Sequence, residues 1–282
     1  MNFFYCITLL LLTLPSILAA YESKPEKGET GEDETSRVSR FDVRYVYQDR
    51  ANNNEHRMTL RSDKSLTLRS GWKLGTRVDL PLRYNDRFNA VDNPNSDWEV
   101  GIGDVLLQGF LTPQRRKRFP WGTTLPKFPW NNEVWTEPRF RLGAGMRTVL
   151  PTATGDQFGT GKWQLGVLAA LTYDMPEISQ GSYVGLTVRN QFDIAGDGDR
   201  NDIHQLVITP RIRINLGGRW AFISTPNISI NLENDNDLFV PLSGQISYRS
   251  DTTVYSLEIE QAIINDFARF DTQIEFRVGF FY

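Results

Sequence analysis

Apolar and polar residues alternate along almost the whole chain from residue 41 onward, and this period of two constrains the fold more than any other sequence feature. Because successive side chains of a β-strand point to opposite faces, the pattern predicts strands with one apolar and one polar face. In the segment 206–216, for example, apolar residues alternate with Arg211 and Arg213. No stretch of the sequence has a convincing helical period. The pattern predicts twelve strands, at about residues 39–48, 56–69, 73–85, 97–111, 138–151, 162–174, 182–193, 203–216, 219–232, 238–249, 252–264 and 269–282.

The length of these strands favours a membrane protein. Residues 37–282 provide about 20 residues for each strand with its turn, whereas a strand of a soluble sheet has roughly 5–6 residues and a tilted transmembrane strand about 9–11. Short turns also alternate with longer polar loops, as in bacterial outer-membrane barrels. Because a sheet in lipid must close to satisfy its edges, we predict an all-β protein, a transmembrane antiparallel up-and-down β-barrel of about 12 strands in the bacterial outer membrane. A secreted β-sandwich, whose strands also alternate, is the alternative.

Aromatic residues lie near many of the strand ends, where the aromatic girdles of membrane barrels are found. Tyr282 ends the last strand on its apolar face and resembles the signal that the barrel assembly machinery recognises. We therefore expect three kinds of partner: the assembly machinery, outer-membrane lipid with lipopolysaccharide, and a small-molecule solute. No nucleic acid and no cofactor are expected. The aromatic residues near strand ends are Trp72, Trp98, Trp163, Trp220, Tyr84, Tyr173 and Tyr248.

The N-terminal region differs from the rest of the chain. Residues 1–20 contain the one long apolar run and end in Ala19-Ala20, which is typical of a secretory signal peptide. Residues 21–36 contain six acids, two lysines and almost no apolar residue, which predicts an acidic, disordered periplasmic tail. The tail has a formal charge of −4 and the whole chain one of −3, so the barrel over 37–282 has a charge close to +1. Cys6 is the single cysteine, so removal of the signal peptide excludes disulfides and thiol chemistry.

The polar faces of the strands are rich in arginine and in carboxylates, and in a barrel they line the lumen. Two interpretations stay open: the charges select solutes by charge and shape, or they pair with one another and fill the bore. Acids Asp42, Asp63, Asp79 and Glu99 belong to the same faces. The predicted pore-lining residues are Arg44, Arg57, Arg61, Arg77, Arg83, Asp104, Arg139, Arg141, Arg147, Arg189, Arg211, Arg213, Glu258, Glu260, Glu275 and Arg277.

Two segments carry glycine motifs. The first is V-G-I-G-D-V at 100–105, and the second runs from L-G-A-G at 142–145 through L-P-T at 150–152 and T-G at 154–155 to F-G-T-G-K-W at 158–163. The glycines at 101, 103, 143 and 145 are predicted to point inward, where they let strands bend or leave room in the bore. Together the motifs resemble the meta-pathway phenol-degradation-like family of outer-membrane channels over about 100 residues. The resemblance implies a barrel that passes small, often aromatic or hydrophobic molecules, although Thr112–Glu137 is longer than the family pattern.

Three other segments invite functional interpretations. Gly155–Lys162 superficially resembles a phosphate-binding loop, but the glycine six residues before the lysine is replaced by Asp156 and the required Ser or Thr by Trp163. The acidic loop 193–202 offers oxygen ligands for calcium, but it lacks the terminal Glu of an EF-hand, so a solvated loop is favoured. The basic, aromatic segment 113–135 falls on the periplasmic side by strand count. It is either a solvated loop or a segment that contacts headgroups, the bore or a partner.

An enzyme is not predicted. The two histidines, His56 and His204, are followed two residues later by Met58 and Leu206, so neither has the His-x-Ser arrangement of outer-membrane phospholipases. The sequence therefore predicts a channel for passive uptake or efflux of small solutes, aromatic or hydrophobic or small and anionic, through a lumen lined by arginine and acids. A plugged structural or adhesive barrel and an outer-membrane lipid hydrolase are the alternatives.

Overall fold

The computed structural model describes residues 21–22, 33–35, 38–50, 53–68, 72–86, 95–113, 140–267 and 269–282. In this part of the chain, twelve antiparallel strands form one closed sheet, in which every strand pairs with the next and the last pairs with the first. The strands are β1 (Arg40–Arg50), β2 (Asn53–Thr67), β3 (Trp72–Asn85), β4 (Glu99–Ile102 and Val105–Pro113), β5 (Phe140–Leu150), β6 (Lys162–Asp174), β7 (Tyr183–Gly196), β8 (His204–Gly217), β9 (Trp220–Ser224 and Ile228–Asn231), β10 (Asp237–Arg249), β11 (Thr253–Asn265) and β12 (Thr272–Phe281).

The pairing of β12 with β1 closes the barrel, with Phe280 opposite Phe41 and Thr272 opposite Asp49. A β-sandwich has two sheets with free edges, so the closed ring excludes that alternative. The prediction of an all-β barrel with twelve strands is confirmed. Among the residues described, no helix has the length and apolar character needed to cross a membrane.

The two faces of the strands have opposite character. In β12, Ile274, Phe276 and Phe280 are exposed on the outer surface, whereas Gln273 and Arg277 are buried inside the barrel. The other strands repeat this arrangement, so large apolar side chains cover the outside and polar side chains fill the inside. An apolar surface of this extent is stable only against lipid. The alternating residues of the sequence thus face lipid on one side of each strand and the bore on the other.

Aromatic side chains surround the outer surface near the strand ends. Tyr84 stacks on Trp98 with ring centroids 4.6 Å apart, and Trp220 packs against Tyr248 at 4.9 Å. Such rings belong at the level of the lipid headgroups, because their bodies are apolar and their tips are polar. The structure therefore places these aromatic residues as the sequence predicts.

The barrel has two distinct ends. We call the end where β1 begins and β12 ends the near end, and the other the far end. Because the strands alternate in direction, the long segment between β4 and β5 joins the barrel at the near end, as the strand count predicts. The loop between β5 and β6 (residues 151–161) lies at the far end.

The N-terminal segment departs from the prediction of a disordered periplasmic tail over residues 21–36. Tyr21 and Glu22 pair with Thr67 and Leu66 near the end of β2. Residues 33–35 lie inside the barrel, where Asp33 and Thr35 are buried. These five residues are the described part of the segment 21–36, and polar partners inside the bore provide their contacts.

Candidate functional site

The inner face of β1–β3 and β12 carries charges that are mostly paired, and we call it the paired wall. Asp63 accepts from two arginines, Arg40 at 2.9 Å and Arg77 at 2.7 Å. Arg61 donates two hydrogen bonds to the carboxylate of Asp79, both at 2.6 Å. Bidentate pairs of this kind fix the geometry of both partners as well as neutralising their charges.

The same wall contains a deeper group around Asp42, which is fully buried. Its Oδ2 lies 3.3 Å from Arg40, 3.1 Å from Arg44 and 3.3 Å from Arg277. Arg44 also contacts Glu275 at 3.1 Å. Charges buried this deeply are stable only when they are compensated, so this group supports the interpretation that bore charges pair with one another.

Glu55 plays the corresponding role nearer the far end. Its carboxylate lies 3.1 Å from Arg50, 3.6 Å from Arg57 and 3.5 Å from Arg83. The paired wall therefore contains clusters of charged residues around Asp63, Asp42 and Glu55. The predicted pore-lining residues that belong to this wall are Arg44, Arg57, Arg61, Arg77, Arg83, Glu275 and Arg277.

The inner face of β5–β8 is different, and we call it the arginine wall. It carries Arg141, Arg147, Arg189, Arg211 and Arg213. Arg147 donates to the side-chain oxygen of Gln108 at 3.0 and 3.2 Å. Among the residues described, Arg147, Arg189 and Arg211 form no ion pair with a carboxylate. An excess of positive charge therefore lies along this side of the bore.

Two carboxylates stand on the opposite side. Glu258 and Glu260 lie on β11, which is six strands from β5 in a ring of twelve and thus faces it across the barrel. Glu258 accepts a hydrogen bond from Thr225 at 3.3 Å, and neither glutamate forms an ion pair within the described part of the chain. The arginine wall therefore faces two acidic side chains across the bore.

Two acidic side chains of the N-terminal segment contact the inside of the barrel. Asp33 lies 2.7 Å from Arg141, and its other oxygen accepts from Thr172 at 3.1 Å. The carboxylate of Glu34 lies 3.4 Å from Arg77 and accepts from Gln108 at 3.2 Å. The segment thus bridges the paired wall and the arginine wall.

The charge state of Asp33 follows from these contacts. Burial by itself raises the pKa of the Asp33 carboxyl, but the guanidinium groups of Arg141 and Arg211 and two hydrogen bonds from Thr35 outweigh it. The net result is a pKa below the ordinary value for aspartate. Asp33 is therefore an anion in the bore at neutral pH.

Asp104, one of the predicted pore-lining residues, contacts the loop at the far end of the barrel. A break in β4 at Gly103–Asp104 interrupts the alternation, and the carboxylate of Asp104 turns to the loop 151–161. It accepts from the main-chain nitrogens of Ala153 at 3.2 Å and Thr160 at 2.7 Å, and from the hydroxyl of Thr160 at 3.0 Å. Asp104 therefore holds this loop at the far end.

The glycines of the two motifs face inward as predicted, and aromatic rings occupy the space beside them. A Cβ at Gly101 would lie 2.2 Å from the ring of Phe158, which is buried in the loop 151–161. Cβ atoms at Gly143 and Gly145 would lie 2.2 and 2.7 Å from the ring of Phe110. Because these glycines have no side chain, the rings of Phe158 and Phe110 fit beside them inside the bore.

Some of the remaining predicted features cannot be located and others contact neighbouring side chains. Arg139 and most of the segment 113–135 lie outside the described residues. In the acidic segment 193–202, Asp193 near the end of β7 and Asp202 in the loop after it lie 3.5 and 2.8 Å from Lys162, so a lysine already neutralises these candidate calcium ligands.

Within the described residues, neither histidine is hydrogen-bonded to a serine. The ring of His56 is 2.6 Å from the hydroxyl of Tyr45, and it packs among aromatic rings on the outer surface. His204 contacts Asn190 at 3.1 Å. These partners do not provide the Ser–His pair that a hydrolase requires.

Sequence reasoning missed the polar partners inside the bore. The acidic composition of residues 21–36 places Asp33 and Glu34 in the tail, and Gln108 and Thr172 stand among apolar residues with no motif around them. The period of two places Gln108 and Thr172 on inward faces, but nothing in the sequence pairs them with acids more than 70 residues away.

Comparison with known proteins supports the fold. No protein-family model and no curated protein matches the chain. The chain is similar to the crystal structure of an outer-membrane channel from Pseudomonas putida F1, with a TM-score of 0.65 and 12% identity over 93% of this chain and 100% of that chain. It is also similar to the NanC porin, with a TM-score of 0.51 and 12% identity over 86% of this chain and 99% of that chain.

These similarities define a class and no more. At 12% identity they establish the fold, which is that of the outer-membrane β-barrels that form channels and porins. The apolar outer surface and the closed sheet agree with the predicted outer-membrane location.

Proposed function

We propose that this protein is an outer-membrane channel that lets small solutes cross passively through its charged bore. The observation that carries the proposal is the arrangement of the inner surface. Arg147, Arg189 and Arg211 on β5–β8 have no carboxylate partner among the described residues, and they face Glu258 and Glu260 across the barrel. Unpaired charges are costly in a dry core and are stable beside water and mobile ions, so the arrangement fits a bore that solutes traverse.

The resemblance of the glycine motifs to the meta-pathway phenol-degradation-like family supports aromatic or hydrophobic solutes as cargo. The charges of the arginine wall favour small anions. A solute that combines an aromatic ring with a negative charge satisfies both, and we propose this class as the first to test.

Purified protein in planar bilayers tests the channel function. We expect small, steady conductance, with lower preference for anions in an Arg189→Gln/Arg211→Gln variant, because these two arginines supply unpaired positive charge. Liposome-swelling uptake across a panel of aromatic acids, sugars and neutral aromatics then identifies the cargo. Arg219→Gln is the matched control, because Arg219 lies in an exposed turn and pairs with Asp251 at 3.0 Å.

A plugged structural barrel is the second candidate. It is supported by the contacts of Asp33 and Glu34 inside the bore and by the loop 151–161 with its buried Phe158. Absence of both conductance and swelling, in wild type and in a Phe158→Ala variant alike, would favour this candidate over the channel.

A further inference from the structure

The two acids of the N-terminal segment are held in the same way by neighbouring strands. Arg141 and Thr172 are directly opposite each other in the ladder of β5 and β6, and together they hold Asp33. Arg77 and Gln108 are directly opposite in the ladder of β3 and β4, and together they hold Glu34. Each carboxylate therefore contacts a guanidinium and a neutral donor that face each other on neighbouring strands.

These donors are arranged before any ligand arrives. Arg77 is fixed by Asp63 at 2.7 Å, and Gln108 is fixed by the two hydrogen bonds from Arg147. Arg141 contacts Asp174 at 2.5 Å and lies 5.6 Å over the ring of Tyr183. Donors held by such neighbours on rigid strands bind a carboxylate with little loss of conformational entropy.

We propose that the pairs Arg141–Thr172 and Arg77–Gln108 form a binding site for small dicarboxylate ligands, which Asp33 and Glu34 occupy when no ligand is present. The segment contacts the site through carboxylates, and that is the group which a free dicarboxylate would present. Since Cα atoms of adjacent residues are about 3.8 Å apart and their side chains diverge, the two carboxylates are separated by roughly 5–10 Å. A saturated dicarboxylate of intermediate length such as adipate spans this distance.

The electrostatics of the site favour a dianion. Arg211 lies near enough to Asp33 to lower the pKa of its carboxyl, and Arg147, beside Gln108, has no carboxylate partner within the described residues. A ligand with two negative charges compensates both ends of this surface, whereas a neutral solute of the same length leaves the guanidinium groups unpaired. The inference rests on the proposed channel function for the route by which the ligand arrives.

Competition between the segment and the ligand provides the test, because the tethered acids act at an effective concentration of roughly millimolar order. Binding of adipate to the full-length protein in detergent is measured by titration calorimetry. We expect the D33N/E34Q variant to bind adipate roughly tenfold more tightly than wild type, since the internal competitor has lost its charge. D251N is the matched control, because it removes a carboxylate from an exposed turn, and its affinity should equal that of wild type.

Removal of donors in the D33N/E34Q background tests the site itself. R141Q should weaken adipate binding at least tenfold and T172V about threefold to fivefold, because a charged donor contributes more than a neutral one. Heat-modified migration on electrophoresis verifies that each variant forms a barrel, and T172V, a nearly isosteric change, carries the test if R141Q does not fold. Hexanediol, which has the same length without the charges, should not bind.

Equal adipate affinities in wild type, D33N/E34Q and T172V/D33N/E34Q would overturn the proposal, as would equal heats for adipate and hexanediol. Conductance of the same preparations separates this result from the channel function. Conductance without adipate binding overturns the binding site alone. Adipate binding without conductance overturns the channel and supports the site.

Discussion

Asp104 provides the sharpest test of how the far end of the barrel is built. Its carboxylate accepts three hydrogen bonds from the loop 151–161, at 2.7, 3.0 and 3.2 Å, and these bonds close the loop over the break in β4. Asp104→Ala removes all three. A hydrogen bond to a charged group contributes about 1.5–3 kcal/mol when buried. Because Asp104 is half-buried, we take about 1 kcal/mol for each bond, or about 3 kcal/mol in total.

This free energy acts on the opening of the loop and not on the unfolding of the barrel. A loss of about 3 kcal/mol raises the open population roughly 150-fold. Native-state hydrogen exchange measures it directly, because the main-chain N–H of Thr160 donates to Asp104 at 2.7 Å. We expect the protection of Thr160 to fall about 100-fold while amides in the middle of β5 and β6 keep their protection. Asp104→Asn retains one acceptor oxygen and should lose about half of the free energy.

Asp235→Asn is the matched control, since Asp235 lies in the exposed turn between β9 and β10 and has a positive φ of 41° that asparagine tolerates well. In this variant the hydrogen-exchange protection of Thr160 should equal that of the wild type. A fall of less than threefold at Thr160 in Asp104→Ala, or an equal fall along the strands, would refute the role of Asp104 as the anchor of this loop.

Three further predictions concern the packing and charge of the bore. Gly145→Ala should impair folding, because the alanine Cβ would lie 2.3 Å from the main-chain oxygen of Gly109. The fraction of protein that folds on refolding into detergent should fall well below that of the wild type. Asp42→Ala should lower the free energy of unfolding, measured in urea, by about 3–5 kcal/mol. The substitution removes a carboxylate that lies 3.3 Å from the buried guanidinium of Arg277. Because the pKa of Asp33 is lowered in the docked segment, its ionisation stabilises docking above the ordinary aspartate pKa, and this stabilisation is lost as the pH falls through the docked value. Carboxyl carbon NMR should show Asp33 titrating below the ordinary pKa of aspartate, and Arg141→Gln should raise the Asp33 pKa.

Much of the bore could be predicted from the sequence because a strand has only two faces. The period of two places Arg211, Arg213 and Glu258 on the inner face, and the structure has them there. The alternation is interrupted at Asp104, because the break at Gly103–Asp104 adds a residue to one strand: Gly101 faces inward before the break and Gln108 faces inward after it. Composition does not reveal an irregularity of one residue, nor that the carboxylate of Asp104 holds the loop 151–161.

Long-range pairing determines other features of the bore that the sequence does not show. The acidic composition around Asp33 predicts disorder, because the neighbouring sequence contains nothing that could pair with these charges. Its partner Thr172 is 139 residues away, and closure of the sheet brings the two together. The glycines at 101 and 143 point inward as the pattern requires, but which ring lies beside each of them depends on the paths of the loop 151–161 and of β4.

The sequence by itself determined the number of strands, their two faces and the membrane as the solvent of one face, because each of these follows from side-chain alternation and strand length within a single segment. Only the tertiary structure decided which charges are paired, which side of the bore retains an excess of arginine, and where Asp33 and Glu34 lie. The physical reason is that these properties depend on distances between strands, and closing the barrel sets those distances between residues that are far apart in the chain.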